Sequence, residues 1–585
     1  MTLPDTPFVL LDDARPGGAG ARLYYDVQEI VQAEMPGDVA AALAKLRASQ
    51  GHRAGYLTYE ASSGIEPRAA TQEGTAPCLW FGSFAKCEPV DLETLLPDPA
   101  GAWAGAPVPR TSRAAYQGQF ARVAEYIRAG DIYQANLTFR ADVPFAGHPA
   151  ALYALLRGRA RAGYGALVFT GSRWILSFSP ELFFTLGDIG FTVKPMKGTA
   201  RRGATPAEDD ALAAQLAADP KQRAENLMIV DLMRNDLTRV ARPGTVRVPS
   251  LFEVERYPTV HQMVSTVVAQ PADGITAVDA LSTLFPCGSV TGAPKLRAME
   301  VIAEVEGDAR GVYTGSIGAI APGGSALFNV AIRTLTIDQG ATRALLGLGS
   351  GVVADSNAAE EWDECLAKGA FVTSGEAPFD LIETMRFDPL AGLVLLERHL
   401  ARMKASANAF GFEFDRHSAR NELQAATFRL RAPARVRLLL APSGAIAIGI
   451  APLPEAPSGP VQVAIQPRKV ARDDFRLAHK TSRRGFYDEA RKASGAWEVL
   501  FADADGYLTE GSFTSIFVER GGTLVTPPLA RGLLPGVLRA ELIESGRAVE
   551  GDLSAADLAG GFYVGNALRG LVSAVTVAEA VNAAL

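Results

Sequence analysis

Cysteine is scarce and scattered. The 585 residues hold four, Cys78, Cys87, Cys287 and Cys365, and no two form a C-x-x-C pair. That spacing argues against a disulfide framework or a zinc site. It fits a reducing, cytoplasmic setting. A basic excess is also missing. The net charge is −7 and the pI about 5.6, which excludes a general nucleic-acid binder. A locally cationic site for a small acidic substrate remains compatible with an acidic chain. The longest uncharged run, "LLLAPSGAIAIGIAPLP" (438–454), is broken by prolines and a Pro-Ser-Gly turn. It reads as two strands, so no membrane span is expected. The first residues, "MTLPDTPFVLLDDARPGG", lack a basic stretch followed by an apolar core, and no signal peptide is expected. No repeat of 20–50 residues is visible.

What remains is ordinary globular composition, 48% hydrophobic and 21% charged. At about 100–200 residues per domain the length predicts three or four structural units. "TSGEAPF" (373–379) is the best linker candidate. Cutting there gives a first domain over 1–375, with an N-terminal subregion over 1–100 and the chemical motifs over 110–372. The second domain covers 376–585 and opens on a fresh strand–turn–strand–helix pattern, with two subdomains expected.

In the first domain, "KPMKGTARRG" (194–203) packs four cations into ten residues, with Lys197 in a turn where a strand hairpin ends. A loop lysine is ordinarily solvated. Two helical segments supply acids. Glu225 opens "AENLMIVDLMRNDL", and Glu361 with Glu364 lie one turn apart in "NAAEEWDECLAKGAF". Carboxylates on two helices suit Mg2+, which takes few protein oxygens and keeps waters and substrate oxygens. Spacing alone equally fits a solvated acidic face. "FPCGSVTGAPK" (285–295) is a small-residue loop before a helix, suited to an anion, with Lys295 as a point charge. Arg333 lies in an apolar strand pattern and needs either a substrate carboxylate or an internal acid.

Together these segments resemble the chorismate-utilising enzymes. "DIYQANL", "SFSPELFF", "PMKGTARRG", "AENLMIVDLMRNDL", "VHQMVSTV", "FPCGSVTGAPK", "GVYTGSIG", "FNVAIRTL" and "GSGVVADSNAAEEWDE" follow in order. The resemblance implies that Glu225 and Glu364 hold Mg2+ against one substrate carboxylate, with Glu361 nearby through water. It implies that Arg333 and Tyr313 bind the other, helped by Thr291, Gly292 and Lys295. Glu181 would be the general acid for the departing hydroxyl, and His261 would line the ring. Gln134 stands where water-adding members carry a lysine base, which points to ammonia as nucleophile. Lys197 stands where members that make aminodeoxychorismate carry a lysine. There the amine attacks the ring at C2 before ammonia adds at C4. Such an amine must be neutral, and Lys194, Arg201 and Arg202 are the expected neighbours that favour neutrality. No G-x-C-x-G elbow is present, so a separate glutamine amidotransferase or free ammonia is implied.

In the second domain, Lys480 follows an apolar run, and Glu510 opens "GYLTEGSFTSIFV" thirty residues on. A pyridoxal phosphate (PLP) enzyme needs a Schiff-base lysine and an acid beside the pyridine nitrogen. "GLLPGVLRAELI" offers an anion-binding helix start at Gly536 and Val537. With "ERHLARMKASA" and "YVGNALRGLVSAV", the stretch resembles fold-type IV PLP enzymes, covering nearly all of 380–577. The resemblance implies that Lys480 carries the cofactor and shuttles protons, and that Glu510 pairs with the pyridine nitrogen. Arg402, Val537 and the Ala567–Leu568 turn would hold the phosphate. Thr384 would help protonate a leaving pyruvate. Contact between Tyr487 and the cofactor is left open by its spacing from Lys480.

The expected fold is therefore α+β. A large domain of packed sheets flanked by helices precedes a two-subdomain fold-type IV domain, which admits a homodimer. The pairing of domains implies amination of chorismate followed by elimination of pyruvate to 4-aminobenzoate, a folate precursor. The alternative is an anthranilate or isochorismate synthase-like domain joined to a branched-chain or D-amino-acid aminotransferase.

Overall fold

The computed structural model describes residues 2–74, 77–257 and 260–577. The chain divides into two compact units. The first comprises 1–96, 106–143 and 153–374, and the second 97–105, 144–152 and 375–585. The division between Ser374 and Gly375 falls inside the expected linker. The short stretch 97–105 belongs to the second unit although it lies far from the linker in sequence. Trp103 belongs to the second, where its ring meets Phe410 edge-on at 5.0 Å.

The first unit is built on a large antiparallel sheet. Period-2 alternation decides which side chains face which layer. In His52–Leu57 and Leu79–Val90, Leu57, Leu79 and Phe81 join one core, which also holds Val39, Ile229, Met233 and Leu281 from three helices. Their alternate neighbours Tyr56 and Trp80 stack at 6.2 Å in a second core with Val9, Ala166 and Ile175. The sheet is thus covered by helices on one face and by its own folded-over strands on the other.

One buried ion pair ties several segments of this unit together. Arg310 is 2% exposed. Its Nε and Nη2 donate to Glu306 at 2.9 and 2.7 Å, and its remaining donors reach the carbonyls of Val290 (2.8 Å) and Asn136 (2.6 Å). Glu306 also accepts from the Thr138 N–H at 2.7 Å. Glu60 accepts the N–H groups of Arg310 and Gly311 at 2.7 and 3.0 Å. Val290 precedes the Thr291–Gly292 step, Asn136 lies two residues from Gln134, and Gly311 lies two from Tyr313.

The second unit has two subdomains. A four-stranded sheet (Gly392–Leu393, Leu381–Asp388, Ala434–Leu440, Ile446–Pro452) packs Met385, Val436 and Leu438 against Leu400 and Met403 of the helix Leu396–Phe410. An eight-stranded mixed sheet runs from Leu508–Gly511 to Ala548–Glu550 around Val463, Leu500, Ile516 and Val564.

Removing one partner of a fully buried pair strands the other charge, at a cost of about 3–5 kcal/mol. Arg310→Met is expected to lower the first unit's stability by that order in denaturant melts. The Arg310→Met/Glu306→Met double variant is expected to lose less than the two single losses added.

Candidate active sites

Lys197 is not on a free loop. Met196–Arg201 is a strand paired with Val260–Ala269, and its register slips between Met196 and Thr199. The slip is a bulge at Lys197–Gly198, where Gly198 takes φ 103°, a value that glycine tolerates. Bulges re-aim side chains, and this one sends Lys197 inward to a side-chain exposure of 21%. Its backbone carbonyl accepts from Asn226 Nδ2 at 3.2 Å, and Asn226 Oδ1 in turn accepts from Ser265 at 2.6 Å. Its amine lies 3.4 Å from Glu225. A Cβ added to Gly351 would meet Lys197 Nζ at 2.5 Å and Gln134 Nε2 at 3.1 Å. The amine and the amide therefore converge over one glycine.

The cations expected to favour a neutral Lys197 are spent elsewhere. Lys194 pairs with Glu255 at 2.6 Å, Arg201 with Glu208 at 2.6 Å, and Arg202 with Asp209 at 2.7 Å. The nearest ionic group to Lys197 is instead an acid, Glu225.

Gln134 is wholly buried, and neither atom of its amide has a hydrogen-bond partner. Glu181 is 4% exposed with Oε1 unpartnered. Burial pushes its pKa up to about 7, while the Ser289 hydroxyl, Lys197 and Lys368 pull the other way. Buried polar atoms are normally satisfied, so three orphaned atoms around one amine mark a place where a polar ligand sits.

The other expected residues divide. Arg333 lies between strands rather than within one, at φ 50°. A non-glycine residue there is strained, a condition concentrated at functional sites. Burial depresses its pKa, opposed only by Tyr257, and no carboxylate among the described residues pairs with it. Tyr313 is buried beneath Arg140, which sits 5.7 Å over its ring, and burial raises the phenol's pKa. Lys295 already has partners, Asp236 Oδ2 at 2.5 Å and the Leu284 carbonyl at 3.0 Å. Thr291 likewise spends its hydroxyl on the carbonyls of Cys287 and Gly288. Gly292 pairs with Ala135 and leaves no room for a side chain beside the Gln134 carbonyl. His261 is fully buried, with Nε2 2.9 Å from Asp209 and Nδ1 free of partners.

The three candidate metal ligands lie on two helices, Pro220–Thr238 and Ala358–Gly369. Among the described residues no three His, Cys, Asp or Glu are gathered into a ready cage. Glu361 accepts from Ser356 at 2.6 Å, and Glu364 pairs with Lys368 at 2.7 Å. Lys197 lies in the field of Glu364 as well as Glu225 and Glu181. One or two carboxylates completed by water and substrate oxygens is the donor set Mg2+ accepts, so these residues fit it.

In the second unit the expected residues share one cavity of about 510 Å3. Thr384, Arg402, Lys480, Glu510, Gly536, Val537, Ala567 and Leu568 all line it. Burial, with Arg402, Arg484 and Arg437, brings Lys480 down to about 7, opposed by Glu383. A neutral amine at that pH is what an aldehyde cofactor needs. Burial pushes Glu510 up to about 7, opposed by the Tyr487 hydroxyl, the Leu534 N–H and two arginines. Tyr487 thus reaches the acid, donating its hydroxyl to Glu510. The helix Val537–Glu544 begins at Gly536 with no side-chain cap, leaving its first N–H groups open to an anion. Two expected phosphate contacts are partly occupied. Arg402 is bidentate to Glu383 at 2.8 and 2.7 Å, and the Leu568 N–H donates to Asn566 at 3.0 Å. A lysine, a buried acid and an open helix start on one cavity fit PLP.

The chain belongs to the chorismate binding enzyme family, whose model matches residues 9–374. Residues 380–577 match the amino-transferase class IV model. The chain is 44% identical over 257 residues to aminodeoxychorismate synthase component 1 of Klebsiella aerogenes, covering 44% of this chain and 56% of that protein. It is 42% identical over 258 residues to anthranilate synthase component 1 of Streptomyces coelicolor, covering 44% and 50%. The chain thus spans about half the length of the curated relatives it matches. The crystal structure of anthranilate synthase component I from Streptococcus pneumoniae superposes with a TM-score of 0.53 at 25% identity, over 64% of this chain and 93% of that one. Near-equal identity to relatives of two different names leaves the distinction to particular residues.

Sequence reasoning passed over Asn226, Ser289 and Gly351. Asn226 was legible as the neighbour of Glu225 in one motif. The roles of Ser289 and Gly351 depend on approach across the fold. Gly351→Ala is expected to displace the Lys197 amine, the flexible end of its side chain, while leaving stability within about 0.5 kcal/mol. The check is a thermal melt beside the rate of Lys197 labelling by an amine-directed reagent, which should change.

Proposed function

We propose that the chain converts chorismate and ammonia to 4-aminobenzoate in two steps, one in each unit. The observation that carries the first step is the meeting of Lys197 and Gln134 over Gly351, with Glu181 unpaired in the same field. Anthranilate formation needs no amine nucleophile at this position; 4-amination through a covalent lysine does. Glu181, protonated near neutrality, gives its proton to the C4 hydroxyl, which leaves as water while the Lys197 nitrogen bonds to C2. Ammonia then bonds to C4 and the C2–nitrogen bond to Lys197 breaks. Gln134 supplies an amide rather than a base, which suits a nucleophile needing no activation.

Lys197 cannot attack while it is an ammonium paired with Glu225. Glu225 and Glu364 are the residues that would hold Mg2+, which supplies charge neutralisation for a substrate carboxylate among acids. Arg333 and Tyr313 take the other carboxylate. The relatives named component 1 support ammonia delivery by a separate glutamine amidotransferase.

The second step is elimination of pyruvate in the class IV unit. PLP supplies an electron sink there when bound. Lys480 holds the cofactor and moves the proton at the amine-bearing carbon. Glu510, with Tyr487 behind it, keeps a proton on the pyridine nitrogen. Thr384, beside Arg437 in the strand register, protonates the departing enolpyruvyl group in this reading.

The test is incubation of the protein with chorismate, ammonium and Mg2+. With PLP the expected product is 4-aminobenzoate, and without it aminodeoxychorismate. Lys480→Ala should stop at aminodeoxychorismate. Anthranilate or salicylate as product would overturn the reading, as would a Lys197→Ala variant that aminates at the parent rate.

The pH dependence follows from Glu181. Its raised pKa means the acid form is present below about 7 and is lost as pH rises through that value. The amination rate is therefore expected to fall on the alkaline side of about 7. Glu181→Gln should remove that limb and cost about 10²–10⁴-fold in rate.

A further inference from the structure

The second unit's cavity carries more positive charge than a cofactor explains. Eight Lys and Arg side chains line it against two carboxylates, Asp488 and Glu510. Lys480 and Arg402 belong to the cofactor site. Arg435 and Arg569 do not. Arg435 stands on Ala434–Leu440, where Val436, Leu438 and Leu440 enter the core and Arg435 and Arg437 face the other way. Arg569 follows the Ala567–Leu568 turn. Its N–H donates to Asn566 Oδ1 at 3.0 Å, its guanidinium lies 5.4 Å over the Trp497 ring, and Nη1 reaches the Glu455 carbonyl at 3.3 Å. No carboxylate among the described residues pairs with either arginine.

The two are close enough to repel. Burial depresses the pKa of Arg569, and Arg435 depresses it further. Two cations held together without an acid are costly unless an anion comes between them. The order along the strand adds depth. Arg437 lies opposite Thr384 in the strand register, whereas Arg435 lies opposite Arg386, two residues further from Thr384. Residues i and i+2 of a strand lie about 6.5–7 Å apart on one face. One cation therefore serves the reacting end of the cavity, and a separate pair lies further along.

We propose that Arg435 and Arg569 clamp the substrate carboxylate that lies across the ring from the reacting amine. This makes them specificity residues for a cyclic amine bearing two carboxylates. The proposal rests on the reading that this unit acts on aminodeoxychorismate. An ordinary α-amino acid carries its carboxylate on the amine-bearing carbon and does not extend to the outer pair. A six-membered ring with carboxylate and amine at opposite corners does.

The experiment uses the full chain loaded with PLP, with Arg435→Ala, Arg569→Ala and Arg435→Lys. The KM for aminodeoxychorismate in 4-aminobenzoate release is expected to rise about 10–100-fold in each alanine variant, as for loss of a charge-assisted contact. PLP content, read from cofactor absorbance, should match the parent, and Arg435→Lys should fall between. An unmoved KM in both alanine variants, or a loss of rate that merely follows lost PLP, would overturn the clamp. Titrating the cofactor absorbance with aminodeoxychorismate separates the two claims. A parent that binds it in an arginine-dependent way yet releases no 4-aminobenzoate would fail the lyase reading and uphold the clamp.

Discussion

The first unit depends on a charge that cannot leave its core. Arg310 has almost no contact with solvent, and its guanidinium donates to Glu306 and to two backbone carbonyls from different segments. Guanidinium geometry makes this work, because its planar fork reaches several acceptors at fixed angles. A lysine could neutralise Glu306 but could not hold the Asn136 and Val290 carbonyls at once. Those carbonyls belong to the strand that carries Gln134 and the turn that carries Thr291 and Gly292, and the backbone of Arg310 itself leads to Tyr313. The cost of burying the pair is repaid only when all acceptors are in place, so the same bonds that satisfy Arg310 set the spacing of the site.

That spacing matters because Lys197 is surrounded by acids. Glu181, Glu225 and Glu364 all feel its charge, yet their environments differ. Glu181 is buried with one oxygen unpartnered, which favours the protonated form. Glu364 is half exposed and paired with Lys368, which with Lys197 outweighs desolvation and keeps it ionised. Two carboxyl groups near one amine are thus pushed towards opposite protonation states by burial and by pairing. That division is what an acid on one side and a metal ligand on the other require.

Much of this was legible in the sequence, for particular reasons. Glu225, Glu361 and Glu364 sit on helices because their segments have helical phase and end signals, Asn357 capping the second. Lys480, Glu510, Gly536 and Val537 meet on one cavity because their order along the chain is tied to that fold. The misreadings share a cause. A run of cations looked like mutual repulsion around Lys197, but each found its own carboxylate, 61 residues away for Lys194 and seven residues on for Arg201 and Arg202. Arg333 looked like a strand arginine because strand propensity ignores a single left-handed residue between two strands. Lys295 looked free because its partner Asp236 lies 59 positions away. Local pattern reports what a residue can do; pairing across the fold decides whether it is available.

The two units meet the same electrostatic problem from opposite sides. A dianion approaching the first site would enter a field of glutamates, which is why a divalent cation is proposed to stand between them. A dianion approaching the second enters a cavity lined mainly by lysine and arginine, where no metal is needed and excess positive charge must be spent. Part of that charge lowers Lys480, which keeps the amine neutral near pH 7. The remainder, at Arg435 and Arg569, has no internal acid to satisfy it. A cofactor phosphate would neutralise the cations around the helix start at Gly536 but not a pair set further along the cavity wall. An aminotransferase for apolar amino acids would gain nothing from such a pair and would bear its repulsion in every turnover. The unspent charge is therefore the physical feature that favours a two-carboxylate substrate in the second unit, independently of which domain precedes it.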